Sequence, residues 1–221
     1  MQDSEFLSNL LVDLLDRNLY EGSDDCRWWA VNPELRIALA SNAFDQATLE
    51  RIINILEYIN ELCTVYTCIF VYDQTGNIMA STNPKDENGS VHWYQSRSYN
   101  VDAVMLLRDE QSYYVSPFVP DVLYENAPTY IYHASIHAPD SHVFVCRIAI
   151  VFDSSPKFLA MPGSGISNKS SAKAFYVNRQ GIIISSTNPK RTVGQKLDID
   201  KALLTLDNGK SKSCIVINYG H

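Results

Sequence analysis

The sequence lacks several features that would each place it in a class of proteins. No apolar run reaches the 18 or more residues of a membrane-spanning helix. The N-terminus, MQDSEFLSNLL, has neither the basic segment nor the small-residue cleavage site of an export signal. Lysine and arginine number 18 against 25 aspartates and glutamates, so the net charge is −7. That balance argues against a nucleic-acid partner, which requires a basic patch.

Motifs for catalysis and metal binding are also missing. The sequence contains no GxSxG, HExxH, P-loop or GxGxxG pattern. The five cysteines are odd in number and scattered without a CxxC pair, so neither a disulfide framework nor a zinc site is predicted. We therefore expect no enzyme activity, no metal and no cofactor. Unpaired thiols favour a cytoplasmic location, the alternative being the extracytoplasmic part of a membrane receptor.

The sequence does contain an internal repeat. Phe70–Lys85 reads FVYDQTGNIMASTNPK, and Phe175–Lys190 reads FYVNRQGIIISSTNPK, with a constant offset of 105 residues and no gap. Each copy predicts a strand, a glycine turn and a return strand. The return strand should end at Asn-Pro, because proline has no amide hydrogen to donate to a neighbouring strand. Two copies of one hairpin imply two related β domains.

Hydrophobic periodicity predicts the other elements. The first 62 residues have helical spacing, and the residues after them alternate as strands do. The first predicted helix is 4–21, which would stop at Gly22–Asp25. The second is capped by Asn32, has Pro33 in its first turn and runs through Ala40, and the third is capped by Asp45 and runs to Leu62. The predicted strands of the first β domain are Thr64–Tyr72, Ile78–Thr82, Gln111–Val115, Thr129–Ala138 and His142–Phe152. We therefore predict an α+β fold in which helices precede a five-stranded antiparallel sheet.

The predicted domain organisation has four parts. Residues 1–62 form a helical stalk, 63–161 the first β domain, 162–171 a linker rich in glycine, proline and serine, and 172–221 a second β domain. The second domain has room for only part of the first domain's strands, and Cys214–Asn218 would end it in mid-sheet. We therefore expect this second domain to be truncated.

The order of these segments resembles a Cache sensor domain. The resemblance is carried by Val71–Pro84 (VYDQTGNIMASTNP), His92–Tyr94 (HWY), Tyr113–Phe118 (YYVSPF) and the strand Ala149–Asp153 (AIVFD). The repeated hairpin makes it similar to the double Cache sensors of bacterial chemoreceptors and sensor kinases, over residues 63–221. The resemblance implies a PAS-like ligand-sensing module with its pocket in the first domain. It also implies a homodimer through the N-terminal helix and a downstream signalling domain outside this chain.

One subfamily of double Cache domains, which binds free amino acids, implies the site residues. Its pattern is an arginine, then Trp-Tyr two residues on, a strand tyrosine and an aspartate in the hairpin loop. In such sites arginine pairs the ligand carboxylate, while the aspartate and aromatic faces hold the ammonium group. The ligand-binding residues implied here are Trp93, Tyr94, Tyr113 (or its neighbour Tyr114) and Asp140. Tyr132 is a fifth candidate, because Tyr130 and Tyr132 share one face of their strand and either that face or the opposite one lines the pocket.

This sequence departs from that pattern at one position. The arginine position falls on Val91, and Arg97 and Arg108 are out of register with it. An amine would still suit the aromatic pair and Asp140, so the resemblance implies a small polar ligand, an amine or an amino acid. The alternative is a dimerisation or scaffold module of a signalling protein, in which Trp93 and Tyr94 only pack onto the sheet.

Overall fold

The computed structural model describes residues 2–41, 45–63, 65–82, 109–153, 173–200 and 204. Three helices come first, and strands follow. The helices are α1 Gln2–Ala30, α2 Pro33–Ala40 and α3 Gln46–Leu62. The strands are β1 Tyr66–Tyr72, β2 Ile78–Ser81, β3 Tyr113–Val115, β4 Val119–Pro120, β5 Pro128–Thr129, β6 Ile131–His137, β7 Phe144–Phe152, β8 Phe175–Val177 and β9 Ile183–Ser186. A 3₁₀ turn, Val122–Tyr124, follows β4.

Five of the strands form one antiparallel sheet in the order β2-β1-β7-β6-β3. Every residue of β6 is buried, and β7 is buried from Cys146 onward, so these two central strands are covered on both faces. The predicted α+β fold with a five-stranded antiparallel sheet is confirmed. The strands β8 and β9 of the second repeat form a separate hairpin.

The chain divides into two compact units. One is Leu19–Ser154, which contains the five-stranded sheet, and the other combines Met1–Asn18 with Ser155–His221. The boundaries at residues 62, 161 and 171 stay predictions. The predicted strand Cys214–Asn218 lies outside the described residues.

Two predicted helix caps are confirmed. The Asn32 side chain accepts a hydrogen bond from the Leu35 amide at 3.0 Å, and Asp45 accepts one from the Thr48 amide at 2.8 Å. Each side chain satisfies an amide that has no partner within its helix. Both caps could be predicted because the interaction spans only three residues.

The predicted stop of the first helix is wrong. The helix α1 continues through Gly22 and ends at Ala30. A Cβ atom on Gly22 would lie 2.8 Å from Cζ of Tyr132, closer than two carbons can approach. Glycine is therefore needed here because the buried Tyr132 ring packs directly on the helix backbone, and not because the helix ends.

The two copies of the repeat form the same turn. Oδ1 of Asp73 accepts hydrogen bonds from the amides two and four residues later, at 2.8 and 3.0 Å. Oδ1 of Asn178 does the same in the second copy, at 3.0 and 2.9 Å. Gly76 and Gly181, three residues after them, have φ of +87° and +79°, which only glycine adopts without strain.

The threonine of the STNPK motif also has the same structural role in both copies. Oγ1 of Thr82 accepts a hydrogen bond from the Ile69 amide at 2.9 Å, and Oγ1 of Thr187 accepts one from the Ala174 amide at 2.9 Å. Each threonine amide in turn donates to the carbonyl of the same partner, at 2.9 and 3.0 Å. The threonine thus completes the last bridge of its hairpin in both copies.

Candidate functional site

The two faces of the five-stranded sheet have different surroundings. Successive strand residues point to opposite faces. On β6, Tyr132 points towards α1, where its ring meets Gly22. We call this side the helix face. His133, the next residue, points to the opposite side, which we call the polar face.

Four side chains from four neighbouring strands meet on the polar face: Tyr72 of β1, Tyr114 of β3, His133 of β6 and Arg147 of β7. We call them the polar cluster. Tyr114 lies directly opposite His133, and Tyr72 lies directly opposite Arg147. The Tyr72 hydroxyl and Nδ1 of His133 are 2.9 Å apart, and the Tyr114 and His133 rings are 5.9 Å apart. The cluster therefore forms a continuous polar row across the centre of the sheet.

Three members of the polar cluster, Tyr72, His133 and Arg147, are buried and Tyr114 is half-buried, and Arg147 gives the cluster one fixed positive charge. His133 is fully buried, and Arg147 is 2% exposed. Burial, and then the nearby Arg147 charge, lower the pKa of His133 to about 3, so the imidazole is neutral at physiological pH. The Arg147 guanidinium lies over the Phe144 ring, 4.6 Å from its centre. This stacking holds the planar group in place.

A loop from the same unit packs beside the cluster. The apolar residues around the cluster include Phe70 and Ile131, and Leu123 and Tyr124 from the segment between β4 and β5 pack against them. The Tyr124 hydroxyl donates to Asp153 at 2.7 Å. The two residues after Tyr124 both have positive φ, 53° and 60°. Consecutive non-glycine residues in this region are uncommon, and such strain occurs preferentially at ligand-binding loops.

The side chains of the polar cluster can recognise a ligand by charge and by hydrogen bonding. A neutral imidazole donates from one nitrogen and accepts at the other, tyrosine hydroxyls do both, and guanidinium donates only. Two tyrosine rings add flat apolar surface. These groups suit a small polar ligand. Among the described residues there is no group of three or more histidine, cysteine or acidic side chains placed to hold a metal ion.

The structure separates the predicted site residues that it describes. Tyr132 is buried on the helix face, and its hydroxyl has no hydrogen-bond partner among the described residues. Tyr113 is 42% exposed at the sheet edge, with the Arg27 guanidinium 5.6 Å from its ring centre. Asp140 is exposed in the turn between β6 and β7. Trp93 and Tyr94 lie outside the described residues. The ligand-binding roles of all five residues stay predictions.

Three residues of the polar cluster were not predicted as site residues: Tyr72, His133 and Arg147. A signal for Arg147 was present, since it is a lone charge within the apolar run HVFVCRIAIVF. Charged residues are almost never fully buried without a specific reason. What the sequence could not supply is the register that places His133 and Tyr72 beside it.

A concave surface lies among the helices of the same unit. It is an open groove of about 710 Å³ whose lining includes Trp28, Trp29, Arg51 and Tyr58. Trp28 and Tyr58 are largely exposed, and Arg51 forms an ion pair with Glu34 at its rim. Because the charged groups of this groove are solvated, it offers weaker recognition than the buried polar cluster.

No protein-family model and no curated protein matches the sequence. Solved structures do match it. The V. cholerae histidine kinase DctB sensor domain aligns with a TM-score of 0.61 at 17% identity, over 86% of this chain and 70% of that one. The ligand-binding domain of the Campylobacter jejuni chemoreceptor Tlp3, in complex with 4-methylisoleucine, aligns with a TM-score of 0.59 at 11% identity, over 94% and 73%. The extracellular domain of the histidine kinase vpHK1S-Z8 aligns with a TM-score of 0.54 at 14% identity, over 86% and 67%.

These structures are Cache-type sensor domains, and the chain has their fold, as the sequence resemblance implied. All three are sensory parts of receptors or kinases and not enzymes in themselves. At these identities the likeness concerns the fold alone.

The comparison corrects the predicted cytoplasmic location, which is wrong. The chain matches sensor domains of receptors and kinases, one of them an extracellular domain. The cysteine argument failed because Cys26, Cys68 and Cys146 are buried in the fold as thiols outside any disulfide. A buried thiol is inert in either compartment, so the lack of a disulfide does not report location. Within the described residues, no helix is both long and apolar enough to cross a membrane.

Proposed function

We propose that this chain is the ligand-sensing part of a bacterial signal-transduction protein, located outside the cytoplasm. It would bind a small polar ligand, an amine or an amino acid, on the polar face of the Leu19–Ser154 unit. The single observation that carries the proposal is the polar cluster buried at the centre of that sheet. Buried polar groups are costly to a fold, and networks of them with perturbed pKa values concentrate at functional sites.

Two further observations support the proposal. The fold is that of Cache-type sensor domains, and the matched Tlp3 domain binds 4-methylisoleucine, an amino-acid derivative. Leu123 and Tyr124, which directly precede the two strained residues, pack beside the cluster. Trp93 and Tyr94 are proposed as further ligand contacts. We propose that the segment between β4 and β5 exchanges between two arrangements. A ligand that favours one of them would transmit a signal by shifting their relative populations.

A thermal-shift screen tests ligand binding directly. The probes are the common amino acids, simple amines, small carboxylates and purines. A ligand at 100 times its Kd adds about 2.7 kcal/mol to the free energy of unfolding, which raises the melting temperature of a chain of this size by about 5–10 °C. A saturable shift from one chemical class is expected. If no probe shifts the transition, the sensor proposal is wrong.

Two adjacent tyrosines then locate the ligand. Tyr114 belongs to the polar cluster, whereas Tyr113, one residue earlier on the same strand, points away from it. We expect Tyr114→Ala to weaken the binding of the active probe at least about tenfold, because it removes an aromatic contact and a hydroxyl. Tyr113→Ala should leave binding nearly unchanged. The reverse result would favour Tyr113, the other of the two tyrosines that the sequence resemblance implied as alternatives.

We also propose that the protein forms a homodimer through the first half of α1. Phe6 and Leu10, one helical turn apart, are 71% and 41% exposed, and together they present an apolar stripe on one side of the helix. Sedimentation velocity at about 100 µM protein should show a dimer, and Leu10→Glu should shift it to monomer. Val31→Glu, at a similarly exposed position beyond α1, is the control. A wild-type monomer would contradict the proposal.

A further inference from the structure

We propose that the loop Pro189–Lys196, which follows the second copy of the repeat, docks onto a membrane surface of anionic phospholipids. We call this segment the basic loop. It belongs to the unit that combines Met1–Asn18 with Ser155–His221, whereas the polar face belongs to the other unit. The proposal therefore adds a second binding surface to the protein and does not depend on the identity of the sensed ligand.

The distribution of charge along the chain is the first argument. Ser155–His221 contains ten lysines and arginines against three aspartates, a net charge of +7. Leu19–Ser154 contains seven lysines and arginines against 18 aspartates and glutamates, a net charge of −11. Such an asymmetry between two parts of one acidic chain indicates that the basic part faces an anionic partner.

The exposure of the basic loop is the second argument. Lys190, Arg191 and Lys196 lie within it, and every residue of the loop is exposed. Cations this close in the chain can approach one surface together. Each lysine or arginine near an anionic bilayer strengthens attachment on the order of fivefold.

The backbone of the basic loop is held in place by β9. The Gly194 amide donates to the Ile183 carbonyl at 2.8 Å, and the Ile183 amide donates to the Gln195 carbonyl at 2.8 Å. Ile183 itself is fully buried. A loop whose backbone is ordered before docking loses little conformational entropy when it binds.

The repeat provides an internal comparison. Lys190–Lys196 reads KRTVGQK, with a net charge of +3, whereas the same positions of the first copy, Lys85–Val91, read KDENGSV, with a net charge of −1. The hairpin and its STNPK motif are kept, but the sign of the charge that follows them is reversed. The hairpin does not require a basic loop, so we attribute its charge to an external partner.

Val193 favours lipid as that partner. It lies between Arg191 and Lys196 and is 36% exposed. Basic residues around an apolar side chain suit the boundary between lipid headgroups and acyl chains, where charge and apolar area both contribute to binding. The phosphates of a nucleic acid would offer this valine no apolar contact.

Vesicle co-sedimentation with the full chain tests the partner. Vesicles of phosphatidylcholine with about 30% phosphatidylglycerol should bind at least about tenfold more tightly than pure phosphatidylcholine. This advantage should shrink as sodium chloride rises from about 0.05 to about 0.5 M, since salt screens exposed charges. Equal binding to both vesicles, or no binding to the anionic ones, would overturn the proposal. A short DNA duplex that binds as tightly as the anionic vesicles would overturn the assignment to lipid.

Paired variants locate the contact. Arg191→Gln combined with Lys196→Gln should weaken binding to the anionic vesicles at least about tenfold, because two cations leave the loop. Arg27→Gln combined with Arg51→Gln is the matched control, since it removes the same charge from Leu19–Ser154, and it should change binding less than about threefold. The melting temperature of the loop variant should stay that of the wild type, because its side chains are exposed. Equal weakening by both variants, or by neither, would overturn the assignment to the basic loop. Either failure would leave the ligand-sensing proposal intact, because that proposal concerns the other unit.

Discussion

Lowering the pH from 7 to 4 is expected to remove about 3 kcal/mol of folding free energy through His133 alone. In the unfolded chain this histidine binds a proton near pH 6.5. In the folded chain its pKa is about 3, because burial and the Arg147 charge oppose the imidazolium form. The unfolded state therefore binds more protons than the folded state between these two values. The contribution of His133 to the free energy of unfolding is fully present above pH 6.5 and is lost as the pH falls towards 3.

Urea unfolding at several pH values measures this effect. Because carboxylates also titrate in this range, the relevant quantity is the difference in the free energy of unfolding between the wild type and His133→Gln. That variant has no titrating group at this position. That difference should change by about 3 kcal/mol between pH 7 and pH 4. His142→Gln is the control, because His142 is exposed in a turn, where it interacts with Glu110. If His133→Gln retained the wild-type pH dependence, the buried histidine would not be its cause.

Nuclear magnetic resonance provides a second test that needs no variant. The ring resonances of His133 should keep the pattern of a neutral imidazole down to about pH 4, with Nδ1 shielded by its hydrogen bond to Tyr72. A titration of His133 near pH 6 in the folded protein would contradict the buried environment of the polar cluster.

Replacing Gly22 with leucine is expected to lower the free energy of unfolding by about 2 kcal/mol. Leucine is a better helix former than glycine, so at an exposed helical position the same change would stabilise the protein by about 1 kcal/mol. At Gly22 a new side chain would instead collide with the buried Tyr132 ring. We expect the packing strain to exceed the gain in helix propensity. A loss of stability would show that the Tyr132 ring requires glycine at position 22, whereas a gain would show that glycine is only a poor helix former there.

A double-mutant cycle identifies the colliding partner. Tyr132→Leu shortens the facing side chain, so the double variant should recover at least about 1 kcal/mol relative to the sum of the two single changes. Thermal or urea unfolding gives all four values. An increase in stability for Gly22→Leu alone would show that α1 does not approach Tyr132 as closely as the structure indicates.

Local features of the fold could be predicted from the sequence. The caps Asn32 and Asp45, the turn that begins at Asp73 and the five antiparallel strands follow from residues close together in the chain. The repeat was informative for the same reason, because each copy closes its turn with side chains two to four residues away. Gly22 was misjudged by the same local reasoning. Its role depends on Tyr132, more than a hundred residues later, and no pattern near position 22 records that contact.

The fold is confirmed, whereas the site residues that the resemblance implied stay predictions. The resemblance directed attention to Tyr113 and Asp140, which the structure places at the sheet edge and in an exposed turn. The neighbouring Tyr114 lies in the polar cluster instead, and a shift of one residue along a strand moves a side chain to the other face. Alternation of polar and apolar residues shows which side chains share one face of a strand only when one of the two faces is polar. Here β6 is buried along its whole length, so its pattern does not distinguish the faces.

The sequence by itself determined the order of the helices and the main strands and the duplicated hairpin, because hydrophobic periodicity, capping and turn formation act over a few residues. The Cache-type fold was implied by the family resemblance of its motifs. Only the tertiary structure decided which polar residues meet. Tyr72 and His133 are 61 residues apart in the chain, yet their side chains are hydrogen-bonded. Strand order and register bring them together with Arg147, and both are set by packing of the whole sheet. The physical character of the site, a buried positive charge beside a neutral histidine, arises from that packing.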